Sequence, residues 1–169
     1  MEVKDLISQL IKNKDLFHLS FSDIPESQFN WKPVESDIWS LKEILCHLYD
    51  EERLDFKPRI SCIIEQNPPP PINPPEWVKS YASKDYNTTL ASFIKEREHS
   101  IAFLNAFDSK HWNTTYQYPD NGPIRSCRFF LDNWLAHDLL HLRQITKLRY
   151  LYLDAHSDHP IEYAGNWVI

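Results

Sequence analysis

The chain has 169 residues, and its 18 Lys and Arg against 24 Asp and Glu leave a net charge of −6. That balance, with no basic run, gives no electrostatic footprint for nucleic acid, and no apolar run is long enough to span a bilayer. Hydrophobic residues at 42% and aromatics at 14% argue for a packed core, and the length suits one domain over 1–169.

Gly122 and Gly165 are the only glycines. A Walker A loop, a dinucleotide-binding fingerprint and a Gly-x-Ser-x-Gly nucleophile elbow therefore cannot be written in this sequence. Nucleotide-binding α/β folds lose ground and a helical bundle gains it. Cys46, Cys62 and Cys127 are too widely spaced for a disulfide framework or a Cys-based zinc site. With no signal peptide in Met1-Glu2-Val3-Lys4-Asp5, a cytoplasmic, reduced protein is expected.

From Val3 to about Leu19, the residues Leu6, Ile7, Leu10, Ile11 and Phe17 repeat at helical spacing. Pro25 and Pro33 mark a loop from about Phe21 to Trp39. Ser40-Leu41-Lys42-Glu43 then reads as a capping box, with Ser40 as N-cap and Glu43 reaching back to it. The helix it opens carries a stripe of Leu41, Ile44, Leu45 and Leu48. His47 falls on the flank of that stripe, roughly 110° from its centre, with Glu51 between them. Glu52 lies on the stripe itself, where an unpaired carboxylate would be costly. Pro58, lacking the N–H of the helical ladder, should kink or end the helix.

Residues 67–75, Asn-Pro-Pro-Pro-Pro-Ile-Asn-Pro-Pro, form a stiff polyproline segment in a loop that crosses one end of the bundle. It reads as a rigid connector or as a wall or lid over a pocket, with Trp77 and Tyr81 able to plug the same end. Tyr86 to Phe107 continues a helical face through Leu90, Phe93, Ile94, Ile101 and Leu104. Arg97 falls on that apolar side, and Glu52 is its first candidate partner. Lys110 to Arg125 is polar and aromatic around an Asp-Asn-Gly-Pro turn, without a strand signal of weight. A last helix runs from about Cys127 to Leu153 with Ser126 as cap, and an irregular tail follows over 154–169. Four helices and no repeat point to an all-α four-helix bundle.

His137 and His141 stand four residues apart on the last helix, within roughly 40° of each other, and Phe130, Trp134, Ile145 and Leu148 share their sector. Both imidazoles therefore face the core. With His47 from the second helix they could cap one divalent ion, since zinc, nickel or iron(II) accepts neutral imidazole. Three protein ligands leave positions open for water or substrate, the layout of a reactive site. Glu51, one turn beyond His47, and Gln144, beside His141, are candidates for supporting the ligands or carrying protons.

Other constellations are incomplete. Only Glu96-Arg97-Glu98-His99 fits the Glu-x-x-His that a di-iron bundle needs twice, and His-Glu-x-x-His is absent. Cys46 adjoins His47 in sequence but points roughly 100° away on a helix, which disfavours a Cys–His nucleophilic pair. His156 and His159 fall in the irregular tail and are expected to be solvated.

These residues resemble the DinB/YfiT-like superfamily over nearly the whole chain. The carriers are Trp39-Ser40-Leu41-Lys42-Glu43-Ile44-Leu45-Cys46-His47-Leu48, then Glu52-Arg53, then Arg97. The strongest is His137-Asp138-Leu139-Leu140-His141-Leu142-Arg143-Gln144-Ile145, similar to the family's His-x-x-x-His-x-x-Gln-Ile. The resemblance implies an up-down-down-up four-helix bundle, a divalent metal on His47, His137 and His141, and a homodimer. It also implies hydrolysis, or transfer chemistry with a low-molecular-weight thiol cosubstrate, on a small-molecule substrate without nucleic acid or membrane. For such a thiol, Arg143 and Arg125 are the nearby basic residues. The competing expectation is a non-catalytic bundle that binds a ligand or partner and uses the metal as structure.

Overall fold

The computed structural model describes residues 1–33, 38–165 and 167. The stretches 34–37, 166 and 168–169, parts of the expected loop and tail, lie outside the described residues. Four long helical segments form the body: α1 (Val3–Phe21), α3 (Leu41–Leu54) continued by α4 (Phe56–Glu65), α6 (Tyr86–Ala106) and α7 (Cys127–His156). Short helices α2 (Glu26–Phe29) and α5 (Pro74–Val78) sit in the connections.

Side-chain contacts give the directions. Lys14 meets Glu98 while Tyr86 reaches the Phe21 carbonyl, so α1 and α6 are antiparallel. Lys42 reaches Ala82 and Arg97 reaches Glu52, so α3 and α6 run the same way. Arg128 reaches Met1 and Asn13 reaches Asp138, so α1 and α7 are parallel. The order is up-down-down-up. A parallel pair cannot be joined by a tight turn, and the polyproline stretch lies in the long connection between α4 and α6. One anchor of that connection is Arg59 on α4, which donates to the Pro70 carbonyl at 3.3 Å and to the Tyr118 hydroxyl at 2.9 Å.

The capping box at Ser40 forms in full. Glu43 N–H donates to Ser40 Oγ at 3.2 Å and Ser40 N–H donates to Glu43 Oε2 at 2.7 Å. That start fixes the phase of α3 and hence where His47 points. The helix breaks at Asp55 (φ −114°, ψ −86°), three residues before the proline expected to break it. Pro58 then occupies the first turn of α4, where a missing N–H has no helical partner to lose.

The core is two apolar clusters with a polar layer between them. Leu10, Ile60, Leu131 and Trp134 belong to one, and Phe17, Leu45, Phe93 and Leu148 belong to the other. Between lie Asn13 of α1, Glu52 of α3, Arg97 of α6 and Asp138 of α7, each at most 3% exposed. Arg97 Nε donates to Glu52 Oε2 at 2.8 Å, the pairing expected from the two helical faces. Asp138 was not anticipated as its second partner. Trp134 Nε1 also donates to Glu52 Oε2, at 3.2 Å, and Asn13 donates to Asp138 Oδ2 at 3.1 Å. Every long helix thus contributes to one paired ion network, in which Glu52 Oε1 alone is left without a hydrogen-bond partner.

Two features depart from the sequence reading. A short antiparallel hairpin, β1 (Thr115–Gln117) and β2 (Ile124–Ser126), occupies a stretch without a strand signal of weight. The Asp-Asn-Gly-Pro turn is its hinge: Asp120 and Asn121 take φ of 56° and 59°, and Gly122 N–H donates to the Pro119 carbonyl. Positive φ at both central residues is the hairpin-forming turn. The last helix also runs to His156 rather than Leu153, so the irregular tail starts later. Among the described residues no helix is long and apolar enough to cross a membrane.

Candidate metal centre

His47 on α3 and His137 and His141 on α7 meet at one point. His137 Nε2 lies 3.2 Å from His47 Nε2 and 3.1 Å from His141 Nε2. All three donor nitrogens fall within 4.8 Å of one another, and no other such group occurs among the described residues. Nitrogens bound to a common ion at about 2.0–2.1 Å, at octahedral to tetrahedral angles, stand about 2.9–3.4 Å apart. The observed separations are of that size.

The protonation pattern agrees with a donor set. Burial pushes the His47 imidazole down to about 4 and the His137 imidazole down to about 2, each reinforced by a neighbouring histidine. His141 is lowered by burial as well. Neutral imidazoles keep a lone pair for a metal. The Gln144 carbonyl oxygen faces His141 Nδ1 at 2.9 Å, which places the His141 proton on Nδ1 and leaves Nε2 bare. A closed hydrogen-bonded cluster of three imidazoles would need protons between the Nε2 atoms, and His141 has none to give there.

One buried atom of the three imidazoles is left over. His47 Nδ1 has no hydrogen-bond partner, and the nearest carboxylate oxygen, Glu51 Oε1, is 3.9 Å away. Burial, with Asp55 beside it, pushes the Glu51 carboxyl up to about 8. Glu51 is thus the group next to His47 that can take or release a proton near neutral pH. Asp55 follows Glu51 at i+4, and that spacing was the signal that could have found it.

Aromatic rings wall the imidazoles. Trp39 packs edge-on against His47 with centroids 4.9 Å apart, and Phe56 does the same to His137 at 5.3 Å. Beyond His47 and His141 lies an open cavity of about 540 Å³. Gln144 and Arg143, both named from the sequence, line it, and so does Lys147, which was missed. Lys147 follows Arg143 at i+4, and that spacing was the available signal.

Arg125 does not belong to this site: its guanidinium lies 4.3 Å from the Phe129 ring centroid and does not line the cavity. No residue of the polyproline segment lines it either, so the expectation of a wall or lid does not hold for this cavity. Cys46 is buried and its thiol is pushed up to about 11 by burial, which agrees with its exclusion as a nucleophile. His159 is exposed in the tail, and His156, also exposed, is the last residue of α7 rather than part of the tail.

No curated protein matches the sequence significantly. Among solved structures, the fold is similar to that of YfiT from Bacillus subtilis, described as a probable metal-dependent hydrolase with an unusual four-helix bundle topology. The TM-score is 0.77 at 18% identity, over 89% of this chain and 87% of that one. The family model of the DinB superfamily matches residues 9–145, and with a four-helix bundle of the same kind the chain belongs to the DinB superfamily.

Proposed function

We propose that this protein is a metal-dependent enzyme in which His47, His137 and His141 hold one divalent ion at the floor of the cavity. The observation that carries the reading is the convergence of the His47 and His141 Nε2 atoms on His137 Nε2, at 3.2 and 3.1 Å, with the His141 proton held away by Gln144. Zinc, nickel and iron(II) all suit a neutral three-imidazole set. Such an ion supplies Lewis acidity and lowers the pKa of a bound water or thiol toward neutrality.

The chain's own residues have distinct tasks in this reading. Gln144 fixes the tautomer and ring angle of His141, and Glu51 Oε1, 3.9 Å from the unpartnered His47 Nδ1, is the carboxylate beside that ligand. Glu51 can also hold a proton in the range where it must later be released. Trp39 and Phe56 keep bulk water from the sides of the imidazoles, so substrate approaches through the cavity.

The reaction is attack by an activated water or thiol on a small electrophile. The description of YfiT as a probable hydrolase favours water, and the cavity has room for a thiol cosubstrate. Metal analysis joined to hydrolysis and thiol-conjugation assays is the test. Protein that holds well below one ion per chain after metal reconstitution overturns the reading. The His137→Ala variant separates chemistry from structure. Lost metal with a nearly unchanged melting temperature supports an enzyme, and a collapse of the fold supports a structural ion.

A further inference from the structure

The cavity beside the histidines is two-toned. Ile38, Trp39, Leu140, Leu148 and Leu151 give it an apolar wall. Arg143 and Lys147 stand one turn apart on α7 and line it as well, and among the described residues no carboxylate does. That is a local reversal in a chain where Asp and Glu number 24 and Lys and Arg number 18. Neither cation forms a side-chain hydrogen bond or ion pair with a described residue, unlike Arg53, Arg59, Arg97 and Arg128, which all have carboxylate partners. Two uncommitted cations on an apolar cavity form an anion-binding edge, because the low-dielectric wall strengthens their field.

Their position relative to the histidines sets a length. Lys147 is six residues past His141, about 9 Å of helix rise, and Arg143 lies between them. We infer that the substrate is a bifunctional molecule, with a reacting group at the histidines, an apolar body against Leu148 and Leu151, and an anionic group docked by Arg143 and Lys147. The class is an anionic amphiphile bearing a carboxylate, sulfonate or phosphate one to two helical turns from the reacting atom. This inference rests on the proposed metal site.

The test uses probes that bridge the two ends and a readout that is not turnover. The full-length protein is loaded with Co²⁺ and titrated with the monohydroxamates of adipic, suberic and sebacic acids. Each is paired with its neutral methyl amide. The hydroxamate seeks the ion, the distal group is charged or not, and calorimetry with the cobalt visible spectrum reports binding. The distal carboxylate is expected to tighten binding about three- to tenfold at about 20 mM salt, at one preferred chain length, with the gap closing near 0.5 M salt. In an Arg143→Gln/Lys147→Gln variant the gap should vanish while the neutral probe binds as before. Both cations are exposed, so this variant should fold, and circular dichroism with Co²⁺ content checks that it does. Equal affinity for charged and neutral probes overturns the inference alone, as does a double variant that weakens both equally. Failure of the parent protein to take up Co²⁺ overturns the metal reading and this inference with it.

Discussion

Arg97 grips Asp138 with both terminal nitrogens, at 2.7 and 2.8 Å, and Asp138 is the residue that follows His137. A guanidinium that is 1% exposed is thus fixed to the backbone turn that carries a histidine of the candidate centre. The ion network and the imidazole cluster are neighbouring layers of the same bundle.

Removing that grip should be severe. Arg97→Ala leaves Glu52 and Asp138 buried without their counter-ion, an error that costs about 3–5 kcal/mol. Arg97→Lys should recover only part of this, because an ammonium cannot reproduce a planar fork that bonds both carboxylates. Urea titration of the two variants beside the parent checks the ordering.

Gln144 predicts a graded effect on metal. Gln144→Leu keeps an apolar stem and deletes the acceptor of His141 Nδ1–H, so metal affinity should fall about ten- to a hundredfold with the fold intact. His141→Ala should lose more, because it removes a donor atom. Competition with a chromophoric chelator measures both, and unchanged affinity in Gln144→Leu would remove that residue from the site.

Tyr86 gives a pH dependence of known sign. Its hydroxyl donates to the Phe21 carbonyl at 3.0 Å, and burial raises its pKa above the usual value of about 10, outweighing the opposing field of Arg149. A group raised on folding contributes stability that is fully present below its unfolded pKa and is lost as pH rises. The parent protein should therefore weaken above about pH 10. Tyr86→Phe starts lower by about 1 kcal/mol for the missing hydrogen bond but lacks this decline, so the two stability curves should converge in alkali. Melting temperatures from about pH 8 to 11 decide it.

The cysteines should differ in reactivity. Cys46 and Cys127 are buried and Cys62 is half-buried, so a thiol reagent should label Cys62 in the native protein and all three only after unfolding. Mass spectrometry of partially labelled protein identifies the site. Early labelling of Cys46 would show that α3 opens beside His47.

Much of this molecule can be read from its sequence because its information is periodic. The helical phase placed His47, His137 and His141 on inward faces, and the same phase paired Arg97 with Glu52. Ser40 and Glu43 announced their helix by local chemistry alone. What escaped was set by tertiary contact or by brevity. Asp138 was hidden beside a more conspicuous histidine, and its role depends on where α6 crosses. The hairpin strands are three residues each, too short for an alternating pattern, although the turn between them was visible. The Asp55 break came before Pro58, so the proline fell in the first turn of a new helix, and the Asp55 side chain accepts from Arg59 on that helix.

Direction of synthesis gives the polar layer a further meaning. Translation delivers α7 after α1, α3 and α6, so Arg97 and Glu52 are both in the chain before Asp138 is. During that interval Asn13 lacks its acceptor and His47 is a solitary imidazole. The helix that completes the charge network brings His137 and His141 with it, in the same two turns. A chain that stops short of those two turns lacks Asp138, His137 and His141 at once, so the buried charge network and the imidazole cluster are completed by the same short segment.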